Sequence, residues 1–111
     1  MTDQVRPQQQ KGDTPRKKTG CGYLYLTDCI DTEYPELFLH LGKTGGCAGA
    51  FLSALAKVSS LALRAGVERK DLVRIWKEIR CPNPMWDGPV QVLSCPDAIA
   101  KMLEDNNKIM Y

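Results

Sequence analysis

Alternating side chains in the first half of the chain predict a β-hairpin. Residues 22–30 alternate bulky or aromatic side chains with smaller ones, as a half-buried strand does. The alternation returns at residues 36–41, where leucines occupy one face of the predicted strand and Phe38 and His40 the other. Residues 31–35 between these stretches have the composition of a turn. We therefore expect two antiparallel strands joined by this turn, with His40 as an ordinary residue of a strand face.

The longest helical pattern runs from Cys47 to Ala65 and follows a Gly-rich break in the chain. Gly66 suits the end of this helix because glycine readily adopts the left-handed conformation that stops a helix. Small residues fill many of the other helical positions, which would let a sheet approach closely. The stripe predicted to face the core consists of Phe51, Leu55, Val58 and Ala62, widened by Leu52, Ser59 and Leu63.

A second helix and a loop are predicted next. Residues 69–79 show helical spacing, and three prolines with a glycine predict a loop over residues 82–89 that Trp86 anchors. Residues 90–93 are apolar enough for a short third strand. The predicted buried face of the second helix consists of Leu72, Ile75, Trp76 and Ile79.

The last predicted helix begins after Ser94. The Ser94 hydroxyl suits the N-cap, and Asp97 at the third helical position completes an arrangement like a capping box. The buried face of this helix is predicted to consist of Ile99, Met102 and Leu103. The element order is then β-β-α-α-(β)-α, an α+β domain in which an N-terminal hairpin, with the third short strand, packs on three helices.

The net charge of +2 is unevenly distributed along the 111 residues. Residues 1–19 carry five basic and two acidic side chains, whereas the rest of the chain has a slight acidic excess. The first residues are also poor in apolar side chains, so residues 1–17 are predicted to be a disordered basic tail. A solvated leader and an arm that contacts phosphates both fit that tail. The body shows no basic excess typical of a nucleic-acid-binding domain.

The sequence predicts neither a membrane-spanning helix nor a secretory signal peptide. The longest uncharged stretch, Thr44–Ala56, is short and only weakly apolar, and the polar N-terminus lacks the apolar core of a secretory signal. We expect a cytoplasmic protein without a membrane partner. With 43% hydrophobic and 25% charged residues, the composition is that of a globular protein.

The five cysteines are odd in number, which argues against a secreted disulfide framework. Four of them lie at the ends of predicted elements, where residues distant in sequence can converge, whereas Cys29 lies within a strand. No pair has the close spacing of a zinc knuckle, so metal ligands and reduced thiols both remain open. The macrodipole at predicted helix N-termini is expected to favour the thiolates of Cys47 and Cys95.

Two local patterns have weaker functional interpretations. The sequence Gly42-Lys43-Thr44 is not a P-loop, because Leu37 stands where that motif has its upstream glycine. It remains a Gly-rich turn before a helix, which is either a plain connector or a site where backbone N–H groups bind an anion. The two helices joined near Gly66 resemble a helix-turn-helix that carries basic residues, although acidic residues dilute them.

Five ordered blocks of the sequence resemble the TSCPD domain, which lies at the C-terminus of adenosylcobalamin-dependent (class II) ribonucleotide reductases and also occurs as a small free-standing protein. The resemblance covers the predicted fold, and residues 18–104 would form the domain, followed by a C-terminal tail at 105–111. Leu93 stands where the name-giving motif has threonine. The blocks are Thr19–Thr27, Gly42–Ala48, Ser60–Val67, Ile79–Pro82 and Ser94–Ala100.

The resemblance implies that four cysteines are the recurrent set proposed to bind a metal, with zinc the expected ion, and that Cys29 lies outside it. These four are Cys21, Cys47, Cys81 and Cys95. Catalytic and cofactor-binding residues are not expected in this chain, and adenosylcobalamin would be bound only by a partner reductase.

The function implied by the resemblance is an accessory or regulatory module of ribonucleotide reduction, and so of deoxyribonucleotide and DNA synthesis. The family name suggests a ribonucleoside-diphosphate reductase, but 111 residues cannot house the radical, thiyl and nucleotide sites of that enzyme. The expected partner is the reductase catalytic chain, with a nucleotide or nucleic acid as a further candidate. A thiol redox partner that relays electrons to the reductase is the first alternative, and a DNA-binding regulator is the second.

Overall fold

A computed structural model describes residues 12–29, 34–42 and 46–107, and confirms the predicted α+β class. The predicted hairpin strands and all three predicted helices are present. Residues 31–33 of the turn predicted at residues 31–35 lie outside the described residues. Within the described parts the elements, in chain order, are strands β1 (Gly12–Asp13), β2 (Arg16–Thr19), β3 (Gly22–Cys29) and β4 (Glu36–Leu41), helices α1 (Gly46–Arg64) and α2 (Arg69–Trp76), strands β5 (Met85–Asp87) and β6 (Val90–Val92), and helix α3 (Cys95–Asn107).

β3 is the central strand of an antiparallel sheet. β4 pairs with one edge of β3, and β1 and β2 pair one after the other with the opposite edge. Across the break between β1 and β2, the backbone N–H of Leu26 donates to the carbonyl of Pro15 at 3.0 Å. The two short strands therefore behave as one interrupted edge strand.

The prediction of a disordered tail is wrong for residues 12–17, because β1 and the first half of β2 lie there. Backbone hydrogen bonds to β3 hold this segment without needing apolar side chains. Lys17 is 9% exposed, and its amine reaches Asp87 at 3.7 Å, so its aliphatic stem is buried while its charge is paired. Residues 1–11 lie outside the described residues.

Helix α1 packs against β4 through a face that matches the predicted stripe only in part, because Leu52, Ser59 and Leu63 of that stripe are buried and its other large residues are not. The hydroxyl of Ser60 accepts a hydrogen bond from the N–H of Leu37 at 2.9 Å and donates one to its carbonyl at 3.1 Å. The helix therefore satisfies backbone groups on the edge of β4 that β3 does not use. Its buried residues are Leu52, Ala56, Ser59, Ser60 and Leu63, whereas Phe51 and Val58 of the predicted stripe are 75% and 64% exposed.

By length and composition, residues Cys47–Arg64 of α1 could also cross a membrane. That criterion is weak evidence, because core helices of soluble proteins meet it as well. In the structure 28% of this stretch is buried, and the remainder includes the exposed Phe51 and Val58. The prediction that no stretch can span a bilayer rested on the uncharged residues before Lys57. Helix α1 continues past Lys57, so it is longer than that uncharged stretch.

Helices α2 and α3 cover one face of the sheet. Leu24 and Leu26 of β3 meet Ile99 and Leu103 of α3, all fully buried, and Val73 of α2 joins them. The predicted buried face of α3 is confirmed, as is its N-cap, because the Asp97 N–H donates to the Ser94 hydroxyl at 3.1 Å.

Helix α2 ends at Trp76, three residues earlier than predicted. Lys77 is already extended, and the N–H of Glu78 binds a carboxylate oxygen of Asp97 at 2.8 Å instead of continuing the helix. Leu72 and Trp76 are buried as predicted, but Ile75 is 64% exposed.

The segment predicted as a loop contains β5, which pairs with β6 in a two-stranded sheet. A tight turn at Gly88, whose φ is +60°, joins the two strands. Trp86 is 59% exposed, so the prediction that it anchors the segment is wrong. The contact with the main sheet is made instead on the side of Met85 and Asp87.

Candidate functional site

Three cysteines from separate elements converge at one end of the sheet. Cys21 lies in the turn between β2 and β3, Cys81 follows α2, and Cys95 is the first residue of α3. The Cys95 thiol forms a hydrogen bond with the Cys21 thiol, and it lies close enough to Cys81 for an electrostatic interaction between the two groups. The Cys95 Sγ also lies 3.8 Å from the hydroxyl oxygen of Thr19. We call Cys21, Cys81 and Cys95 the thiol cluster.

Two loops pack directly against each other to form the thiol cluster. The Asn83 side-chain amide donates to the carbonyl of Gly20 at 2.8 Å. A Cβ at position 20 would collide with the carbonyl oxygen of Asn83, so this approach requires glycine. The backbone N–H of Asn83 donates to the Sγ of Cys81 at 3.4 Å, which orients that sulfur.

Hydrogen bonds to neighbouring elements fix the position of each cysteine. The backbone N–H of Cys21 donates to the Thr19 hydroxyl at 3.1 Å, and that hydroxyl donates to the carbonyl of Gly22 at 2.7 Å. The N–H of Cys81 donates to the carbonyl of Leu93 at 3.1 Å. The cluster is therefore built on the ends of β2, β3, β6 and α3, which are rigid parts of the fold.

Cys95 is held in its protonated form more firmly than an ordinary cysteine. Burial raises the pKa of its thiol, and the neighbouring thiols of Cys21 and Cys81 add to this, against a smaller opposing effect of the Thr19 hydrogen bond. The position of Cys95 at the start of α3 is confirmed, but the expectation that the helix dipole makes it a thiolate is wrong. Burial of the Cys95 thiol is the largest cause of its raised pKa.

The remaining cysteines lie outside the thiol cluster. Cys47 is exposed near the start of α1, and none of the contacts that join the other three includes it. Cys29 is buried at the end of β3, and its carbonyl accepts a hydrogen bond from Arg69 at 3.2 Å. Within the described parts of the chain, no three His, Cys, Asp or Glu side chains are arranged closely enough to hold a metal ion.

A cleft of about 460 Å³ opens beside the thiol cluster, a volume within the usual range for small-molecule sites. Cys21 and Met85 line one side and Tyr23 and Tyr25 another, with Lys18 at the edge. Sequence reasoning missed this cleft, because it depends on the approach of β5 to β2. It also missed Thr19 and Asn83, whose roles follow from contacts between segments distant in sequence.

The other patterns noted in the sequence have different outcomes. His40 lies on an exposed strand face as predicted, with its ring 6.2 Å from that of Tyr25. Residues 43–45 of the Gly-rich turn lie outside the described residues. The basic residues Arg64 and Arg69 of the helix-turn-helix interpretation face inward, where they pair with Glu36 and Asp28.

Comparison with known families identifies the domain. The family model described as the TSCPD domain matches residues 1–106. The chain belongs to the TSCPD domain family. The resemblance recognised in the sequence is thereby confirmed, and membership associates this TSCPD domain with ribonucleotide reductases. No curated protein and no solved structure matches the chain significantly.

Proposed function

We propose that this TSCPD domain is an accessory or regulatory module of ribonucleotide reduction, which acts in the cytoplasm by binding the reductase catalytic chain. The observation that carries the proposal is the thiol cluster, assembled from three of the cysteines that the family resemblance singles out. A domain that gathers thiols from separate elements of its fold is suited to a module that binds a partner chain.

We further propose that the thiol cluster binds zinc, with Cys47 as the fourth ligand. Thiolates are the preferred ligands of structural zinc sites, which commonly gather sulfurs from separate loops. The N–H donated by Asn83 to Cys81 would stabilise a zinc-bound thiolate there. Zinc binding requires that Cys95 lose its proton and that all four sulfurs lie within bonding distance of one ion.

Elemental analysis with a thiol count tests the metal proposal. Protein purified under reducing conditions should contain one zinc per chain, and Cys95→Ala should lose it and melt at a lower temperature, because zinc binding contributes directly to folding. Cys29→Ala is the control, since Cys29 is buried outside the cluster. Absence of stoichiometric metal, with Cys21, Cys47, Cys81 and Cys95 all reacting freely in the native protein, would contradict the proposal.

The partner proposal is tested with a class II reductase catalytic chain. We expect the purified protein to bind that chain, or to change its turnover, and to reduce no ribonucleotide alone. Surface plasmon resonance with the immobilised reductase measures the binding directly. A lack of both binding and any change in turnover would reject the module.

The contact between the thiols of Cys21 and Cys95 favours a second candidate, a thiol redox partner. In that function the two thiols would form a disulfide and pass two electrons and two protons to an oxidised reductase disulfide. Sequence spacing alone argued against such a pair, because neither cysteine has a neighbour in a C-x-x-C motif. The fold supplies that neighbour, with the exposed Cys21 as the attacking sulfur and the raised pKa of Cys95 disfavouring attack from that side.

Thiol trapping distinguishes the two functions. Incubation with oxidised reductase, followed by alkylation and mass spectrometry, would show a Cys21–Cys95 disulfide if the protein relays electrons. Stimulation of the reductase that survives Cys21→Ala favours the binding module, whereas stimulation that requires both cysteines favours the relay. The DNA-binding alternative has less support, because Arg64 and Arg69 form internal ion pairs. The more exposed basic residues of these helices, Lys70, Arg74 and Lys77, are paired with acidic side chains.

A further inference from the structure

The sheet has one face that the described helices leave open. Helices α2 and α3 cover the side of Leu24 and Leu26, and α1 lies along β4. The opposite side carries alternating residues of three strands whose pairing places them next to one another: Arg16 faces Tyr25, Lys18 faces Tyr23, and Tyr25 faces His40. We call Arg16, Lys18, Tyr23, Tyr25, Phe38 and His40 the aromatic face.

The aromatic face combines rings with positive charge. Tyr23 and Phe38 are 39% and 40% exposed although each carries a large apolar ring. The guanidinium carbon of Arg16 lies 4.4 Å from the centre of the Tyr23 ring, so the positive charge lies over an aromatic surface. Lys18 is exposed on the same strand. Arg16 lies in the segment predicted to be a disordered basic tail, and Lys18 follows directly after that segment. Strand β2 presents both side chains on the sheet.

Two acidic side chains near the aromatic face, among the residues that the structure describes, are paired with basic ones. Glu36 lies at one end of β4, is 8% exposed and pairs with Arg64, while Asp87 pairs with Lys17. Among the described side chains, the groups that face Arg16 and Lys18 from β3 are therefore tyrosine rings rather than carboxylates. The face is electrostatically suited to an anionic partner.

The spacing of the rings suits a chain of nucleotides better than a single one. Tyr23 and Tyr25 are two residues apart on one strand, about 7 Å, and the ring centres of Tyr25 and His40 lie 6.2 Å apart. Rings at such intervals can each take a base, because base stacking on aromatic side chains is tolerant of sequence. Stacking requires unpaired bases, since the rings lie on a sheet surface and cannot enter a duplex groove.

From this arrangement we propose that the aromatic face binds single-stranded nucleic acid, with bases stacked on Tyr23, Tyr25 and His40 and phosphates held by Arg16 and Lys18. The cleft bounded by Tyr23, Tyr25 and Lys18 receives one nucleotide at the end of the bound strand. This site is separate from the buried part of the thiol cluster and does not depend on an association with the reductase.

Fluorescence anisotropy with labelled oligonucleotides tests the proposal on the full-length chain. We expect saturable binding of a ten-nucleotide oligo-dT or oligo-U at low salt and at least tenfold weaker binding of a duplex of the same length. The oligo-dT and oligo-U arms show whether DNA or RNA is preferred. Thymidine monophosphate should compete poorly, because it occupies only one ring.

Matched variants separate stacking from charge. Tyr25→Ala should weaken binding about 5- to 100-fold, the range for loss of one stacked base, whereas Tyr25→Phe should retain most of the affinity. Lys18→Ala should reduce the dependence of log affinity on log salt by roughly 0.7, the value for one lost contact to a single-strand phosphate. Circular dichroism confirms that each variant folds.

Controls on other surfaces decide whether the binding is specific to the sheet. Phe51→Ala removes a more exposed ring on α1, and Lys70→Ala removes an exposed cation on α2, and neither should change the affinity. The proposal is overturned by any of three results: no saturable binding of either single strand, equal or tighter binding of the duplex, or affinities for Tyr25→Ala and Lys18→Ala equal to that of the unmodified chain.

Discussion

The fully buried carboxylate of Asp97 accepts a hydrogen bond at 2.8 Å from the backbone N–H of Glu78, a residue whose φ is +68°. Among the described non-glycine residues, Glu78 alone has a positive φ. Such backbone costs roughly 1–2 kcal/mol for a residue with a side chain. Asp97 thus stabilises a strained turn at the end of α2, and its other oxygen binds the N–H of Leu93 at 2.9 Å and the amine of Lys101 at 2.6 Å.

Substitution at Glu78 should reverse the usual order of alanine and glycine. Glu78→Gly should stabilise the protein relative to Glu78→Ala, by about 1 kcal/mol, because glycine adopts this backbone without a steric cost. At an ordinary helical or extended position the alanine variant would be the more stable one. Urea denaturation of the two variants measures the difference, and an equal or higher free energy of unfolding for Glu78→Ala would contradict the assignment.

Asp97 should also make stability fall in acid. Burial alone would raise its pKa, but the hydrogen bonds from Leu93, Lys101 and Glu78 outweigh burial and hold the pKa below the ordinary value of 3.8. A carboxyl with a lowered folded pKa stabilises the protein fully above its unfolded pKa and loses that contribution as pH falls through the folded value. Thermal melts between pH 5 and about pH 2 should therefore show a decline that is shallower in Asp97→Asn, which is less stable at neutral pH.

Ser60 provides a test of how α1 joins the sheet. Ser60→Ala removes both the acceptor for the Leu37 N–H and the donor to the Leu37 carbonyl, and leaves these buried groups unpaired. We expect a loss of about 1–3 kcal/mol in the free energy of unfolding. Ser53→Ala, at an exposed position of the same helix, should change stability by a few tenths of a kcal/mol at most. Similar values for the two variants would contradict this account of the α1 contact.

The burial of α1 shows where sequence reasoning succeeded and failed. Its residue range was predicted within one position at each end, because glycine punctuation and helical spacing are local signals. Its buried face was predicted only in part, through Leu52, Ser59 and Leu63. The helix also packs along a strand edge through Ala56 and Ser60, small residues that a search for large apolar side chains passes over. The exposed Phe51 contributed most to the wrong stripe.

The thiol cluster was also predicted in part, because its cysteines were expected and the residues that hold them were not. Cys21, Cys81 and Cys95 lie together as their positions at element ends suggested, and the family resemblance pointed to them. The partners that hold them, Thr19 and Asn83, gave no sequence signal, because each acts across loops far apart in the chain.

Arg69 should be essential to the fold although it lies on the helix of the supposed DNA-binding motif. Its guanidinium binds the fully buried Asp28 carboxylate, and the Arg69 Nη2 atom lies 2.7 Å from the Asp28 Oδ1 atom. Arg69→Leu removes this cation from a buried acid and should cost about 3–5 kcal/mol. Arg74→Ala, which disturbs an exposed pair with Asp71, should cost less than about 1 kcal/mol. Chemical denaturation of both variants provides the comparison, and a small effect of Arg69→Leu would rule out a structural role.

Gly20 links the fold to the reactivity of the thiol cluster. A Cβ at this position would collide with the carbonyl of Asn83, so Gly20→Ala should force the two loops apart. The hydrogen bond that the Asn83 side-chain amide donates to the carbonyl of residue 20 should then weaken. The distance between Cys21 and Cys81 would then increase. We expect a lower melting temperature, faster reaction of Cys81 with a thiol reagent and, if the cluster holds zinc, weaker retention of the metal against a chelator.

Gly49 supplies the matched control for that substitution. It lies within α1, and no neighbouring atom comes within 4 Å of the position that a Cβ would take, so Gly49→Ala fits without a collision. Alanine is the better helix former, and the variant should be more stable by roughly 0.5–1 kcal/mol, with thiol reactivity unchanged. If Gly20→Ala behaved like Gly49→Ala in both measurements, the close approach of the two loops would not be what positions the cysteines.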